Sequence, residues 1–448
     1  MKYWGFSLYV LFCICFFIPS TAYAYLDPGT GNALVYVVIS LFGAVVYSLK
    51  GLFYKIIGKK EETQEKGKSG AANEIVIFSE GKAYWNTFKP VVKALIDKKA
   101  YFSYYTMDVD DPCLTIDNPY ITNRYIGNGS MAFSKIGNLK ANVVLSTTPN
   151  IGTEGYPIPR SEKINKLVHV FHAFDDLTCY HRGSLDHYDA VMLVGAFEVP
   201  IIEKLESIRN TPKKELYPAG LPYLDELALR KEQVEDTTEV GKRNNNRPVV
   251  LVAPSWGVKG CLTQYGDQFI ELLAQAGFNI IIRPHPQSVK VEKPLLDAIQ
   301  QNLKKFDNVT WDFEVDGTVS MKAADILISD TSSVRVDFLF IYQKPIITLE
   351  MPFGDMKDFE FADLKESWKE KALATMGRTV GKEKIKDIVT IVECELKEKT
   401  TDRIIAFRNE NIYNWRNSGE VIADYLIQKG KEVAFESERS ETGSGERA

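Results

Sequence analysis

A chain of 448 residues is too long for one ordinary core and calls for two domains. Apolar and charged fractions of 45% and 25% are those of a folded globular protein rather than a disordered one. A net charge of -5 gives no global basic field, which argues against nucleic acid as a partner and makes any anion site a local one.

The N-terminus reads as a membrane element. Lys2 precedes an uncharged run from Tyr3 to Leu26 that ends in Thr21-Ala22-Tyr23-Ala24 and two further residues, so residues 1–25 fit a signal peptide or a first membrane span. Residues 28–57 follow as a transmembrane helix, with an uncharged stretch from Pro28 to Leu49 long enough for a ~30 Å hydrocarbon core. Lys50, Lys55, Lys59 and Lys60 then put the far end on the cytoplasmic side, and residues 58–73 form a polar linker. On this reading the protein sits in the inner, cytoplasmic membrane with its catalytic part in the cytoplasm.

From residue 74 to 234 apolar runs alternate with helical patterns. Strands are expected at Ile75–Phe78, Tyr101–Met107, Val143–Leu145, Leu167–Phe171 and Ala190–Val194, with helices at Trp85–Leu95 and Val199–Ile208. A second polar stretch, 235–247, separates this Rossmann-like domain from another spanning 248–435. There, strands at Val249–Ala253, Phe278–Ile282, Val309–Phe313, Asp325–Ile328 and Pro345–Leu349 alternate with helices that include Asp267–Ala276, Val291–Leu303 and Ser333–Tyr342. Residues 436–448 are rich in Ser, Glu and Gly and read as a disordered tail. Such alternation implies mostly parallel sheets, hence an α/β protein of two Rossmann-like domains facing a cleft.

Two motifs lie where buried strands stop, the edge at which open α/β sheets bind ligands. Arg283-Pro284-His285-Pro286 offers a guanidinium for phosphate oxygens and an imidazole able to donate or transfer a proton. Ser329-Asp330-Thr331-Ser332-Ser333 offers hydroxyls and the N-terminus of a helix, with Asp330 better suited to orienting the loop than to touching an anion. Ser255, in Ala253-Pro254-Ser255-Trp256, ends another strand of the same domain and is a further donor-side candidate. In the first domain His172 ends the run Val168–Phe171, with Asp175 and Asp176 near enough in sequence to orient it as a base. Gly220, Pro222 and Asp225, and Thr147, Thr148 and Asn150, are other edge positions that could line the cleft. The six cysteines form no framework: Cys13 and Cys15 lie in the apolar N-terminus, and Cys113, Cys179, Cys261 and Cys394 are scattered. No spacing matches a metal site, so neither metal nor cofactor is expected.

These motifs together resemble the CDP-glycerol glycerophosphotransferase family, the teichoic-acid polymerases and primases. The resemblance rests on Arg283–Pro286, on Ser329–Ser333 with Asp337 and Phe338, on Lys344–Ile347, on Ala253-Pro254-Ser255 and on Gly220-Leu221-Pro222 with Asp225. The family's Trp-His-Gly appears here as Phe171-His172-Ala173. The likeness implies a GT-B fold and transfer of glycerol phosphate, or a related polyol phosphate, from a CDP-alditol to a hydroxyl of a lipid-linked or glycan acceptor, with release of CMP. In that chemistry Arg283, His285, Ser332 and Ser333 would hold the pyrophosphate, and His172 and His285 would serve as base and acid in either assignment. A GT-B glycosyltransferase or epimerase using a nucleotide-sugar, and a non-catalytic scaffold of the same fold, are the alternatives.

Overall fold

A computed structural model describes residues 74–234, 247–314, 316–352 and 356–443. Two all-parallel sheets organise them. The first has seven strands: β1 (Ile75–Ser79), β2 (Phe102–Thr106), β3 (Ile121–Tyr125), β4 (Ala141–Ser146), β5 (Ile164–Val170), β6 (Ala190–Leu193) and β7 (Glu215–Pro218), in the order β3-β2-β1-β4-β5-β6-β7. The second has six: β8 (Val249–Val252), β9 (Asn279–Ile282), β10 (Val309–Trp311), β11 (Ile326–Ser329), β12 (Ile346–Leu349) and β13 (Arg378–Val380), in the order β10-β9-β8-β11-β12-β13. β8, β9, β11 and β12 are buried at every position, the pattern of strands covered on both faces by helices. Strand order reverses between β1 and β4 in one sheet and between β8 and β11 in the other. Each reversal is a topological switch point, the place where such sheets open a crevice for ligands.

β3 and β13 escaped the sequence reading because they are sheet edges. Ile-Thr-Asn-Arg-Tyr and Arg-Thr-Val are short and polar, and neither carries a buried apolar run. The helix expected over Ser333–Tyr342 divides into an α turn, Val334–Asp337, and a π-helical turn, Phe338–Tyr342.

The expected N-terminal membrane segment is withdrawn from the fold. No helix among the described residues is long and apolar enough to cross a membrane. Residues 1–73, where that segment was placed, lie outside the described residues. Apolar runs in the described part are strands of a few residues, far short of the ~20 that a span needs.

Residues from Gly70 onward form one compact unit. One apolar cluster is shared by the two sheets' domains, joining Val76, Val144 and Phe174 to Leu251, Val336 and Phe340. Trp368 stacks on Phe197 at 4.0 Å within it. The last helix, Ser418–Gly443, leaves the second domain and returns to the first, where Ile422, Tyr425 and Leu426 pack with Ile75, Val91 and Leu95. The sequence boundary at 435 therefore misassigns this helix, which also runs into the stretch read as a disordered tail. Its partner surface is far away in sequence, so periodicity alone could not place it.

Candidate active site

The β8–β11 switch point is organised by one carboxylate. Asp330 follows β11, is fully buried, and accepts hydrogen bonds from the backbone N–H groups of Ser255 (3.0 Å), Cys261 (2.8 Å) and Ser332 (3.1 Å). It thus holds the loop after β8 against the loop after β11. A buried carboxylate met by this many N–H donors has its desolvation cost offset and its position fixed. Ser329, expected to bind phosphate, does not face a ligand: it is fully buried and its hydroxyl donates to the Ala253 carbonyl at 2.5 Å. Thr331 is exposed, and Ser332 and Ser333 are half-buried, so these three keep hydroxyls at the edge. Ser255 contributes through its backbone, with Trp256 exposed beside it.

His285 caps the helix Pro286–Val291. Its Nδ1 accepts from the Gln287 N–H at 3.1 Å, which leaves Nε2 to carry the proton of the neutral ring. Its ring lies 6.3 Å from that of Trp256, nearly parallel. Burial lowers its pKa, while Asp330 and Glu292 pull the other way. Arg283 corrects an expectation. Its Nη1 is ion-paired with Asp312 at 2.6 Å, and both side chains are largely buried. A Cβ on Gly317 would lie 2.7 Å from its Nε, so the guanidinium is packed closely against that glycine. The charge assigned to phosphate is balanced by Asp312, and Arg283 braces the loop that carries His285.

In the first domain His172 follows β5 and meets the ring of Tyr84 edge-on, centroids 5.3 Å apart. Its Nδ1 is buried with no protein partner. Burial lowers its pKa and Asp175 opposes this. Neither aspartate orients it by a hydrogen bond, contrary to the pairing drawn from sequence. Asp175 pairs with the buried Lys369 Nζ at 3.0 Å, because an ammonium in that place requires its counter-ion. Asp176 accepts from the Ser367 hydroxyl (2.6 Å) and the Lys369 N–H (2.8 Å). Next along, Glu370 takes both ends of the Arg335 guanidinium at 2.6 and 3.0 Å, and Arg335 Nε donates to the Ser332 carbonyl at 3.1 Å. Residues 367–370 therefore tie the His172 loop to the serine-rich loop. Arg335, Lys369 and Glu370 were missed from sequence. Arg335 alone left a trace there, the one cation in a helical run that is apolar apart from it and Asp337. His169 is a core residue: fully buried between Phe171 and Tyr188, with burial lowering its pKa to about 3.

Gly220, Pro222 and Asp225 do not line a cleft. Gly220 has φ of +93°, and a Cβ there would lie 2.3 Å from the Tyr413 carbonyl and 2.4 Å from the Ser418 hydroxyl. Pro222 opens the helix Pro222–Gln233. Asp225 accepts from the Ser418 N–H at 2.7 Å and so caps the last helix. This turn anchors the C-terminal segment that crosses back to the first domain.

Residues 183–358 match the family described as CDP-Glycerol:Poly(glycerophosphate) glycerophosphotransferase. No curated protein sequence matches the chain. Among solved structures, the wall teichoic acid polymerase TagF superposes with a TM-score of 0.54 at 14% identity, over 88% of this chain and 98% of that one. A UDP-GlcNAc 2-epimerase from Methanocaldococcus jannaschii superposes with a TM-score of 0.53 at 15% identity, over 79% of this chain and 99% of that one. At such identities the likeness shows the fold, which is GT-B. The likeness to the CDP-glycerol glycerophosphotransferase family is thus carried by residues 183–358, within a GT-B fold.

Proposed function

We propose that the enzyme transfers glycerol phosphate, or a related polyol phosphate, from a CDP-alditol to a hydroxyl of a glycan or lipid-linked acceptor in the synthesis of a teichoic-acid-like polymer. The observation that carries this reading is the Asp330-centred edge, which brings Ser255, Thr331, Ser332, Ser333 and the His285 loop to one switch point. TagF, named as a wall teichoic acid polymerase, shares the fold that builds such an edge.

The acceptor oxygen attacks the β-phosphorus, a new P–O bond forms, and the bond to CMP breaks with its electron pair leaving on the CMP phosphate. Charge that accumulates on the transferred group needs fixed donors. His285 Nε2–H and the hydroxyls of Thr331, Ser332 and Ser333 supply them, and none is bound to Asp330 through its side chain. His285 stabilises the departing CMP. His172, kept neutral by burial, is free to receive the acceptor proton. Incubation of the full chain with CDP-glycerol and, separately, with a panel of UDP-sugars tests the reading. CMP release from CDP-glycerol is expected. Turnover of a UDP-sugar alone would replace it with the nucleotide-sugar alternative.

A further inference from the structure

The first sheet has a switch point of its own, and its edge is built differently. β1 and β4 meet there, and the chain leaves them at Glu80 and at Thr147-Thr148. Tyr84 and Tyr156 stand at this edge, half-buried, and Tyr84 meets His172. Tyr188 lies beneath and donates its hydroxyl to the Thr148 carbonyl. Four buried polar atoms of this region have no protein partner: Thr147 Oγ1, Thr148 Oγ1, His172 Nδ1 and Tyr180 Oη. Buried polar groups are rarely left so, and a cluster of them at a ligand-binding edge marks where a hydroxylated molecule can complete the hydrogen bonding. Burial raises the pKa of Tyr84 and Tyr188 and pushes that of Tyr156 up to about 12, and Glu80 lies close enough to all three to add to the rise.

From this juxtaposition we infer a second subsite at the β1–β4 edge, formed by Glu80, Tyr84, Tyr156, Thr147 and Thr148, that binds the neutral hydroxyls of a polyol or sugar terminus. Glu80 accepts hydrogen bonds from adjacent hydroxyls, the phenols present apolar faces and O–H groups, and the threonine hydroxyls take up the remaining donors and acceptors. A carboxylate at this edge repels phosphate, so the edge selects hydroxyls where the β8–β11 edge selects anions. The acceptor's reacting hydroxyl would reach His172 from this side. The inference rests on the transferase reading only for what is bound here, an acceptor end.

Saturation-transfer NMR on the full chain tests it, with glycerol as the neutral probe and glycerol 3-phosphate as the charged one. Glycerol is expected to receive saturation also when CDP-glycerol is present in excess, since the donor edge lies on the other sheet. The signal should fall at least fivefold for glycerol 3-phosphate and likewise in Glu80→Gln, an isosteric change at a half-exposed position. Thr147→Val, checked for folding by circular dichroism, should weaken it as well. Equal signals from the two probes, or an unchanged signal in Glu80→Gln, overturn the subsite. CMP release from CDP-glycerol is scored separately: its absence with glycerol binding intact removes the donor reading and leaves this one standing.

Discussion

The two switch points face the same chemistry with opposite preparations. At the β8–β11 edge the key buried carboxylate is saturated by backbone N–H groups, and Arg283 is already paired with Asp312. That edge is complete without a ligand. At the β1–β4 edge buried hydroxyls, an imidazole nitrogen and a phenol have no protein partner, with Glu80 beside the Tyr84 and Tyr156 phenols and Asp175 beside His172. An edge meant for a multiply charged group benefits from rigid, pre-aimed donors, because reorganisation at the moment of transfer would cost rate. An edge meant for neutral hydroxyls can leave polar groups to be completed by the ligand, and its selectivity comes from what those groups lose when the wrong molecule enters.

The largest expected effect comes from breaking the pre-organised side. Asp330→Ala leaves one buried and two part-buried N–H donors without this acceptor, at up to about 1–3 kcal/mol each. Urea denaturation should show a loss of several kcal/mol, and CDP-glycerol affinity should collapse with it. A variant as stable as the parent would mean that the two loops do not depend on this carboxylate. Next come the histidines. His285→Ala and His172→Ala are each expected to lower CMP-releasing turnover by ~100-fold, the scale of losing an acid or base. They should differ in which substrate they disturb. His285→Ala raises the KM for CDP-glycerol, and His172→Ala leaves it near the parent value. The same KM shift in both would erase the distinction between the edges.

How much of this was legible before the structure follows from where each signal resides. Buried parallel strands are continuous apolar runs, so β8, β9, β11 and β12 stood out, and with them the loops that carry His285 and Ser332. The GT-B architecture followed from that alternation together with the family motifs. Edge strands β3 and β13 were lost because their sequences are polar. Roles that depend on long-range partners were lost for a different reason. Asp175 lies near His172 in sequence, but its ion partner is Lys369, 194 residues further along the chain. Asp225 and Gly220 look like cleft residues until Ser418 and Tyr413 are seen against them. Arg283 reads as a phosphate ligand until Asp312 is placed beside it. In each case the residue type was informative and the partner was not local.

A smaller effect tests the bridge that couples the edges. Lys369→Met keeps the stem and removes the ammonium, leaving Asp175 partly buried without its ion partner. About 3 kcal/mol of stability should be lost, since breaking a largely buried pair exposes an uncompensated charge. The matching change in Asp175→Asn should not add to it in the double variant, which a double-mutant cycle measures directly. Additive losses would show that the two side chains act separately and that residues 367–370 do not transmit position from one edge to the other.

The last prediction concerns pH. Asp337 is fully buried, and its carboxylate accepts from the Tyr223 hydroxyl at 3.0 Å, across the contact between the domains that carry the two edges. Burial raises its pKa to about 7, and the Tyr223 hydrogen bond only partly offsets this. In the unfolded chain an aspartate ionises near pH 4. Below that pH the group is protonated in both states and its folded environment carries no penalty. Between about 4 and 7 the unfolded chain releases the proton while the folded one keeps it, so stability falls as pH rises, by at most ~1.4 kcal/mol per unit. Above 7 both forms are ionised and the loss stays constant. Asp337→Asn removes the titration and can keep the bond to Tyr223. Its urea midpoint should therefore match the parent near pH 4.5 and exceed it at pH 8. Parallel midpoints for the two proteins across that range would show that Asp337 is not the titrating group. The contact between the edges would then be insensitive to pH over that range.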